Sequence, residues 1–167
     1  MEQICPSLTL RPGTMADLPA VTAVEAACFP LAEAASEQDF AKRLAVYPGH
    51  FWLLWEGDRL VSFVNGMTTD EPDLRDEMYA NASLHNENGA WQMIFGVNTI
   101  PDCRRRGYAA RALQAAIETA RAAGRRGLVL TCKDPMVHYY AKFGFADEGL
   151  SFSTHGGVPW HQMRLTF

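Results

Sequence analysis

Apolar positions along this chain change period several times, and each change marks an element. Leu8 to Arg11 alternates and stops at Pro12-Gly13, which predicts a short first strand. Thr14-Met15-Ala16-Asp17 fits a capping box, and Leu18, Val21, Val24 and Cys28 follow at helical spacing until Pro30. A second helix is expected from Ser36 to Tyr47, with Phe40 and Leu44 inward and Pro48-Gly49 ending it. Phe51 to Trp55 and Leu60 to Met67 are apolar runs around Glu56-Gly57-Asp58-Arg59, the pattern of a hairpin.

Residues 70–89 are polar and irregular, with room for a short helix around Asp73 to Met78. Trp91 to Val97 reads as one apolar strand. Gly107 to Ala123 is the clearest helix: Ala109, Leu113, Ala116, Ile117 and Ala120 form one face, and Arg111, Gln114, Glu118, Arg121 and Arg125 the other. Leu128 to Cys132 is a buried strand and Met136 to Phe143 a short helix. Phe145 to Phe152 and Trp160 to Thr166 are closing strands. This order predicts an α/β fold: a single domain over residues 1–167 with a mixed sheet and helices on both faces. The unit from strand 91–97 through helix 107–123 to strand 128–132 should make its two strands parallel.

Composition narrows the setting. A chain of 167 residues with 48% hydrophobic and 20% charged positions can build a core without metal or disulfide support. Its net charge of −4 argues against general nucleic-acid binding. Cys5, Cys28, Cys103 and Cys132 lack metal-ligand or Cys-x-x-Cys spacing and read as buried thiols in a reducing compartment. The first residues show no signal pattern, and no apolar run approaches the ~20 residues that span a bilayer. A cytoplasmic protein without membrane contact, monomeric or homodimeric, is expected.

The arginines are unevenly spread, and Arg104-Arg105-Arg106-Gly107-Tyr108-Ala109 lies between an apolar strand and the amphipathic helix. The first N–H groups of a helix have no partner within it, and the dipole places partial positive charge there. Gly107 and Ala109 would let phosphates approach the backbone, while arginines add charge-assisted bonds. The Gly-Lys-Ser/Thr ending of a Walker loop is missing, as is the G-x-G-x-x-G of a dinucleotide fold.

On these residues the chain resembles the GNAT acetyltransferase superfamily, whose Gln/Arg-x-x-Gly-x-Gly/Ala motif is matched by Arg104, Gly107 and Ala109. A second motif stands as Tyr139-Tyr140-Ala141-Lys142-Phe143-Gly144-Phe145. The chain looks most like the serotonin (arylalkylamine) N-acetyltransferase branch in Trp55 to Phe63, in Leu84-His85 and in Cys132-Lys133-Asp134-Pro135-Met136-Val137-His138-Tyr139-Tyr140. The resemblance implies a mostly antiparallel twisted sheet of about seven strands with about four helices. It also implies direct acetyl transfer from acetyl-CoA to a primary amine of a small molecule, with no metal. A protein or peptide amine, or a non-catalytic acyl-CoA-binding role, are the alternatives.

By the same resemblance, Arg104, Arg105, Arg106, Gly107, Tyr108 and Ala109 would hold the pyrophosphate of the coenzyme. The backbone of Phe95, Gly96 and Val97 would pair with its pantetheine arm as an added strand. Tyr140 would be the general acid toward sulfur; its other reading is a core aromatic. The branch carries two histidines on the fourth strand, and this chain has Trp91 and Met93 there. These two either pack the core or line an apolar acceptor pocket with Pro30 and Leu31 of the 29–36 loop, which resembles the family's substrate-covering loop. His85, His138, Asp70 and Glu71 are the remaining nominees for a base.

Overall fold

The computed structural model describes residues 7–167. Cys5 and the opening residues read above for a signal pattern lie outside that range. The elements in chain order are β1 (Leu8–Pro12), α1 (Leu18–Cys28), α2 (Glu37–Val46), β2 (Phe51–Glu56), β3 (Arg59–Asn65), β4 (Thr68–Thr69) and α3 (Asp76–Ala80). They continue with β5 (Trp91–Ile94), β6 (Gly96–Thr99), α4 (Tyr108–Ala122), β7 (Gly127–Cys132), α5 (Val137–Ala141), β8 (Ala146–Leu150) and β9 (His161–Thr166). The mixed α/β fold expected from the pattern is present. Among the described residues the seven expected strands become nine: Trp91–Val97 is two strands interrupted at Phe95, and the two-residue β4 is added.

The strands form two sheets, ordered β1-β2-β3-β6 and β4-β5-β7-β9-β8. All pairings are antiparallel except β5 with β7, the pair joined through α4, where Trp91 faces Gly127 and Ile94 faces Leu130. The interruption at Phe95 has a local cause. The chain after β3 runs close against β5: the N–H of Met93 donates to Met67 O and that of Phe95 to Asn65 O, both at 2.7 Å. Gly66 permits this approach, because a Cβ there would lie 1.7 Å from Met93 O. Beyond Phe95 the chain pairs with β3, Gly96 opposite Asn65 and Val97 opposite Val64. β7 meanwhile continues through Thr131 and Cys132 beside β9 alone. One strand thus leaves its parallel neighbour, and the sheets open between β6 and β7.

Strand alternation feeds two cores. Phe51, Leu53, Phe63, Met93 and Val129 pack with Val21, Phe40 and Leu44 of α1 and α2. Trp52, Val64, Ile94, Leu128 and Leu130 pack with Leu113, Ala116 and Ile117 of α4. Capping fixes where the helices start. Thr14 N donates to Asp17 Oδ2 at 2.8 Å ahead of α1, and Arg11 pairs with Asp17 at 2.7 Å. Asp39 N donates to Ser36 Oγ at 3.1 Å, and Ser36 N returns a bond to Asp39 Oδ2 at 3.0 Å. Among the described residues no helix is long and apolar enough to cross a membrane.

Candidate active site

The opening between the sheets forms a cleft of about 860 Å³. Its edges are Phe95, Gly96 and Val97 on one side and Leu130, Thr131 and Cys132 on the other.

One end is built by the segment from β6 into α4. A short 3-10 turn, Pro101–Cys103, follows β6. Arg105 (φ 67°) and Gly107 (φ 77°) then adopt left-handed backbone, and Gly107 caps α4 without any side-chain bond. Among the described residues, the N–H groups of residues 105–110 have no hydrogen-bond acceptor. Arg111 N is the first to be satisfied, by Gly107 O at 3.1 Å. A row of unpaired donors at a helix start, with Ala109 and Ala110 offering no bulk, has the chemistry that suits an anion. Arg104, Arg105, Gly107, Tyr108 and Ala109 line the cleft; Arg106 does not. Arg104 Nε donates to Thr99 O at 3.2 Å, which lays its guanidinium along the end of β6.

Tyr140 lies on the β7 side, on α5, 8% exposed and bordering the cleft. Tyr139 and Phe145 hold its ring edge-on at 5.2 and 6.2 Å. Its hydroxyl has no hydrogen-bond partner among the described residues. Burial pushes its pKa well above the ordinary phenol value, so the proton stays on oxygen at any working pH. The neighbouring Cys132 thiol is likewise pushed up by burial, to about 11, and donates weakly to Met163 Sδ at 3.6 Å.

The other end is assembled from distant segments. Glu25 on α1 is buried, and its Oε2 accepts from Ala35 N at 2.8 Å while Oε1 accepts from Asn98 Nδ2 at 2.7 Å. Burial raises its pKa, against the pull of those two bonds and of the charges of Arg43 and His155. Glu33, in the 29–36 loop, lies 2.6 Å from Lys133 Nζ as an ion pair. Asp76 accepts from Ser153 Oγ at 2.5 Å and Thr154 N at 3.0 Å, fixing the 151–160 segment. Aromatic rings line the wall: Tyr79 packs on Phe95 at 4.7 Å and lies parallel to the His155 ring at 5.3 Å. The Tyr79 phenol is pushed up to about 12 by burial and shares a hydrogen bond with Thr131 Oγ1 at 3.1 Å. His155 Nε2 donates to Glu33 O at 2.7 Å, and Trp160 Nε1 donates to His155 O at 2.7 Å.

Several nominated residues fall elsewhere. Pro30 lines the cleft, but Leu31 points to solvent with 96% exposure. Trp91 and Met93 are buried in the core under α1 and α2 and do not reach the cleft, because the strand turns away from β7 only after them. His85, His138, Asp70 and Glu71 are also absent from its lining. His85 instead clusters with His50 and Glu87, a trio at metal-ligand spacing. Thr68 N donates to His85 Nδ1 at 3.1 Å, which leaves the ring proton on Nε2, 2.7 Å from Glu87. A nitrogen carrying its proton cannot ligate, so the trio holds together as hydrogen bonds. Glu25, Glu33, Tyr79, Lys133, His155 and Trp160 were not nominated from sequence. They come from five separate segments, and only the fold unites them.

The sequence profile of the acetyltransferase (GNAT) family matches residues 18–145. Three solved structures superpose over nearly the whole chain. The loading GNATL domain of CurA from Lyngbya majuscula is 18% identical with a TM-score of 0.81, covering 96% of this chain and 98% of that one. The GphF GNAT-like decarboxylase in complex with isobutyryl-CoA is 20% identical with a TM-score of 0.82, covering 95% and 98%. The ribosomal-protein-S18-alanine N-acetyltransferase from Escherichia coli is 18% identical with a TM-score of 0.72, covering 96% and 94%. At such identities the likeness is one of fold. No curated protein sequence matches the chain.

Proposed function

The chain belongs to the acetyltransferase (GNAT) family, and from that premise we propose that this acyl-CoA-dependent acyltransferase moves an acetyl group from acetyl-CoA to a primary amine of a small molecule by direct transfer. The observation that carries the reading is the cleft between β6 and β7, with unpaired N–H groups of residues 105–110 at one end and Tyr140 on its lining. Those donors and Arg104 and Arg105 suit a pyrophosphate. The β6 edge at Phe95 to Val97, no longer paired to β7, suits the amide groups of a pantetheine arm.

In this reading the amine nitrogen attacks the thioester carbonyl carbon, a C–N bond forms and the C–S bond breaks. Tyr140 donates its proton to the departing sulfur. Its buried phenol stays protonated, so it has a proton to give, and no protein partner among the described residues competes for it. Holding both reactants in one cleft contributes by proximity, which can reach ~7–11 kcal/mol for well-aligned groups.

The acceptor half supports an amine as the nucleophile. It combines rings (Phe29, Tyr79, Phe95, Trp160) with carboxylates (Glu25, Glu33, Asp39, Asp76). Rings and carboxylates together suit a cation that carries an aromatic group, in keeping with the resemblance to the arylalkylamine branch. Free thiols at Cys28, Cys103 and Cys132 suit a reducing, cytoplasmic setting. A peptide amine is the second reading, favoured by the likeness in fold to the ribosomal-protein-S18-alanine N-acetyltransferase. A panel of small amines and peptides, with detection of the released thiol, separates them. Turnover on peptides with none on small amines would reverse the ranking.

A further inference from the structure

We propose that the acceptor end holds a subsite for a hydroxyl group, in the hollow beside Gly96, so that the preferred acceptor is a vicinal amino alcohol; the assignment rests on the amine-acetylating function proposed above. Two amide side chains and one missing side chain make the hollow. Gly96 stands opposite Asn65 in the pairing of β6 with β3, and strand alternation puts the Asn98 side chain on the same face. A Cβ on Gly96 would have as its three nearest atoms Asn98 Oδ1 at 3.4 Å, Glu25 Oε1 at 3.7 Å and Asn65 Nδ2 at 3.8 Å. These are ordinary contact distances, so the glycine leaves room for a small group among three polar atoms. Gly96, Asn98 and Glu25 all line the cleft.

Charged partners fix which way each amide faces. Asn98 Nδ2 donates to Glu25 Oε1 at 2.7 Å, and Arg43 Nη1 donates to Asn65 Oδ1 at 3.0 Å. Turning the first amide over would set oxygen against carboxylate oxygen, and turning the second would set nitrogen against guanidinium nitrogen. The frame behind Asn65 is itself tied down: Arg43 Nη2 donates to Tyr79 O at 2.9 Å, and the guanidinium lies over the Phe95 ring at 4.9 Å. The hollow is therefore offered one acceptor, Asn98 Oδ1, and one donor, Asn65 Nδ2. Asn98 Oδ1 is buried without a hydrogen-bond partner among the described residues. The Asn65 amide bonds only Arg43 there, and only through its oxygen. Both residues are 1% exposed.

A group that suits this pair accepts one hydrogen bond and donates one. An ammonium only donates, a carboxylate only accepts, and a methyl group does neither. A free amine could do both only by giving its lone pair to Asn65, which would stop it attacking the thioester. A hydroxyl does both, as does water. Gly96 directly follows the interruption at Phe95, where β6 parts from β7 and where amine and acyl group would meet. A hydroxyl held there belongs on the carbon next to the one that bears the nitrogen. Asn65 and Asn98 are then specificity residues, and the aromatic wall takes the rest of the molecule.

The test measures kcat/KM for 2-amino-1-phenylethanol and for phenylalaninol, each beside its counterparts with hydrogen and with fluorine in place of the hydroxyl. Fluorine resembles the hydroxyl in size and in its pull on the amine pKa, but has no proton for Asn98. The wild type should favour hydroxyl over both replacements by about 10–100-fold, the worth of two hydrogen bonds. Alanine suits the Gly96 backbone, which is not left-handed, and its methyl fills the hollow. In Gly96→Ala the preference should disappear. Asn65→Asp keeps an oxygen for Arg43 and exchanges the donor for an acceptor, so the preference should fall about tenfold. These ratios, taken on one enzyme, do not depend on how much of it is folded, and Asn65→Asp decides the matter if Gly96→Ala is inactive. Equal rates within each series would mean that the hollow takes ordered water only, and would overturn the proposal. So would a preference that survives both substitutions, since the hydroxyl is then read elsewhere. A wild type that turns over no amine defeats the proposed function and this inference with it; turnover without a hydroxyl preference defeats this inference alone.

Discussion

The two ends of the cleft are made in opposite ways. The end proposed to bind the anion is one continuous stretch, from Phe95 to Ala109, and its chemistry is mostly backbone: N–H groups left without acceptors by a cap that has no side chain. The acceptor end draws on α1, the 29–36 loop, α2, α3 and the 151–160 segment, and its chemistry is side chains: Glu25, Glu33, Tyr79, His155 and Trp160. A backbone cradle works with almost any residues that allow the turn, so it can serve one fixed ligand group. A wall of side chains changes with each substitution, so it can be tuned to an acceptor while the cradle stays the same.

Mutations can break this division. The largest effect is expected at the boundary between the halves. Tyr140→Phe keeps the ring and removes the hydroxyl, and kcat should fall about 10²-fold or more with acyl-CoA affinity unchanged. Tyr139→Phe should be nearly silent. Equal losses in the two variants, measured where chemistry limits the rate, would show that packing of α5 matters rather than the proton.

Next is a matched pair of glycines at the two ends of α4. Gly107 and Gly124 have φ of 77° and 75°, and a Cβ on either would meet open space. Valine at each should cost about 1–2 kcal/mol of stability from left-handed backbone, read by denaturant unfolding. Only Gly107→Val should weaken acyl-CoA binding, by about tenfold (~1.4 kcal/mol), because only there does the added bulk meet the ligand. Unchanged affinity would remove residues 105–109 from the coenzyme site.

A smaller effect should isolate the acceptor half. Lys133→Met leaves the Glu33 carboxylate of the 29–36 loop without its ion pair. The amine KM should rise about fivefold (~1 kcal/mol) with the acyl-CoA dissociation constant unmoved. A shift in both constants would mean that the two ends are not independent.

The smallest is a flat line. Because burial raises the Tyr140 pKa, loss of its proton, and with it acid catalysis, is delayed as pH rises. The same group contributes stability that is intact below the ordinary phenol value and declines above it. Neither kcat nor unfolding free energy should fall on its account below about pH 10. A descending limb near pH 8 that disappears in Tyr140→Phe would contradict this.

The sequence by itself determined most of the elements and the turn that opens α4. Periodicity located α4 and the hairpin of β2 and β3, because an amphipathic helix or a strand is decided by neighbours a few residues away. The turn from Arg104 to Ala109 was legible for the same reason: strand, turn, glycine and helix start are contiguous, and unpaired N–H groups follow from that order alone. Tertiary structure decided the rest. Trp91 to Val97 is mostly apolar and reads as one strand; it splits at Phe95 because Gly66, far back in the chain, lets another backbone press against Met93. That split creates the cleft and leaves Trp91 and Met93 behind in the core. Glu25, on a helix whose other residues read only as packing, becomes a buried carboxylate at the opening because Ala35 and Asn98 close around it. Such a site has no signature along the chain, since its members meet only when long-range pairing brings five segments to one wall.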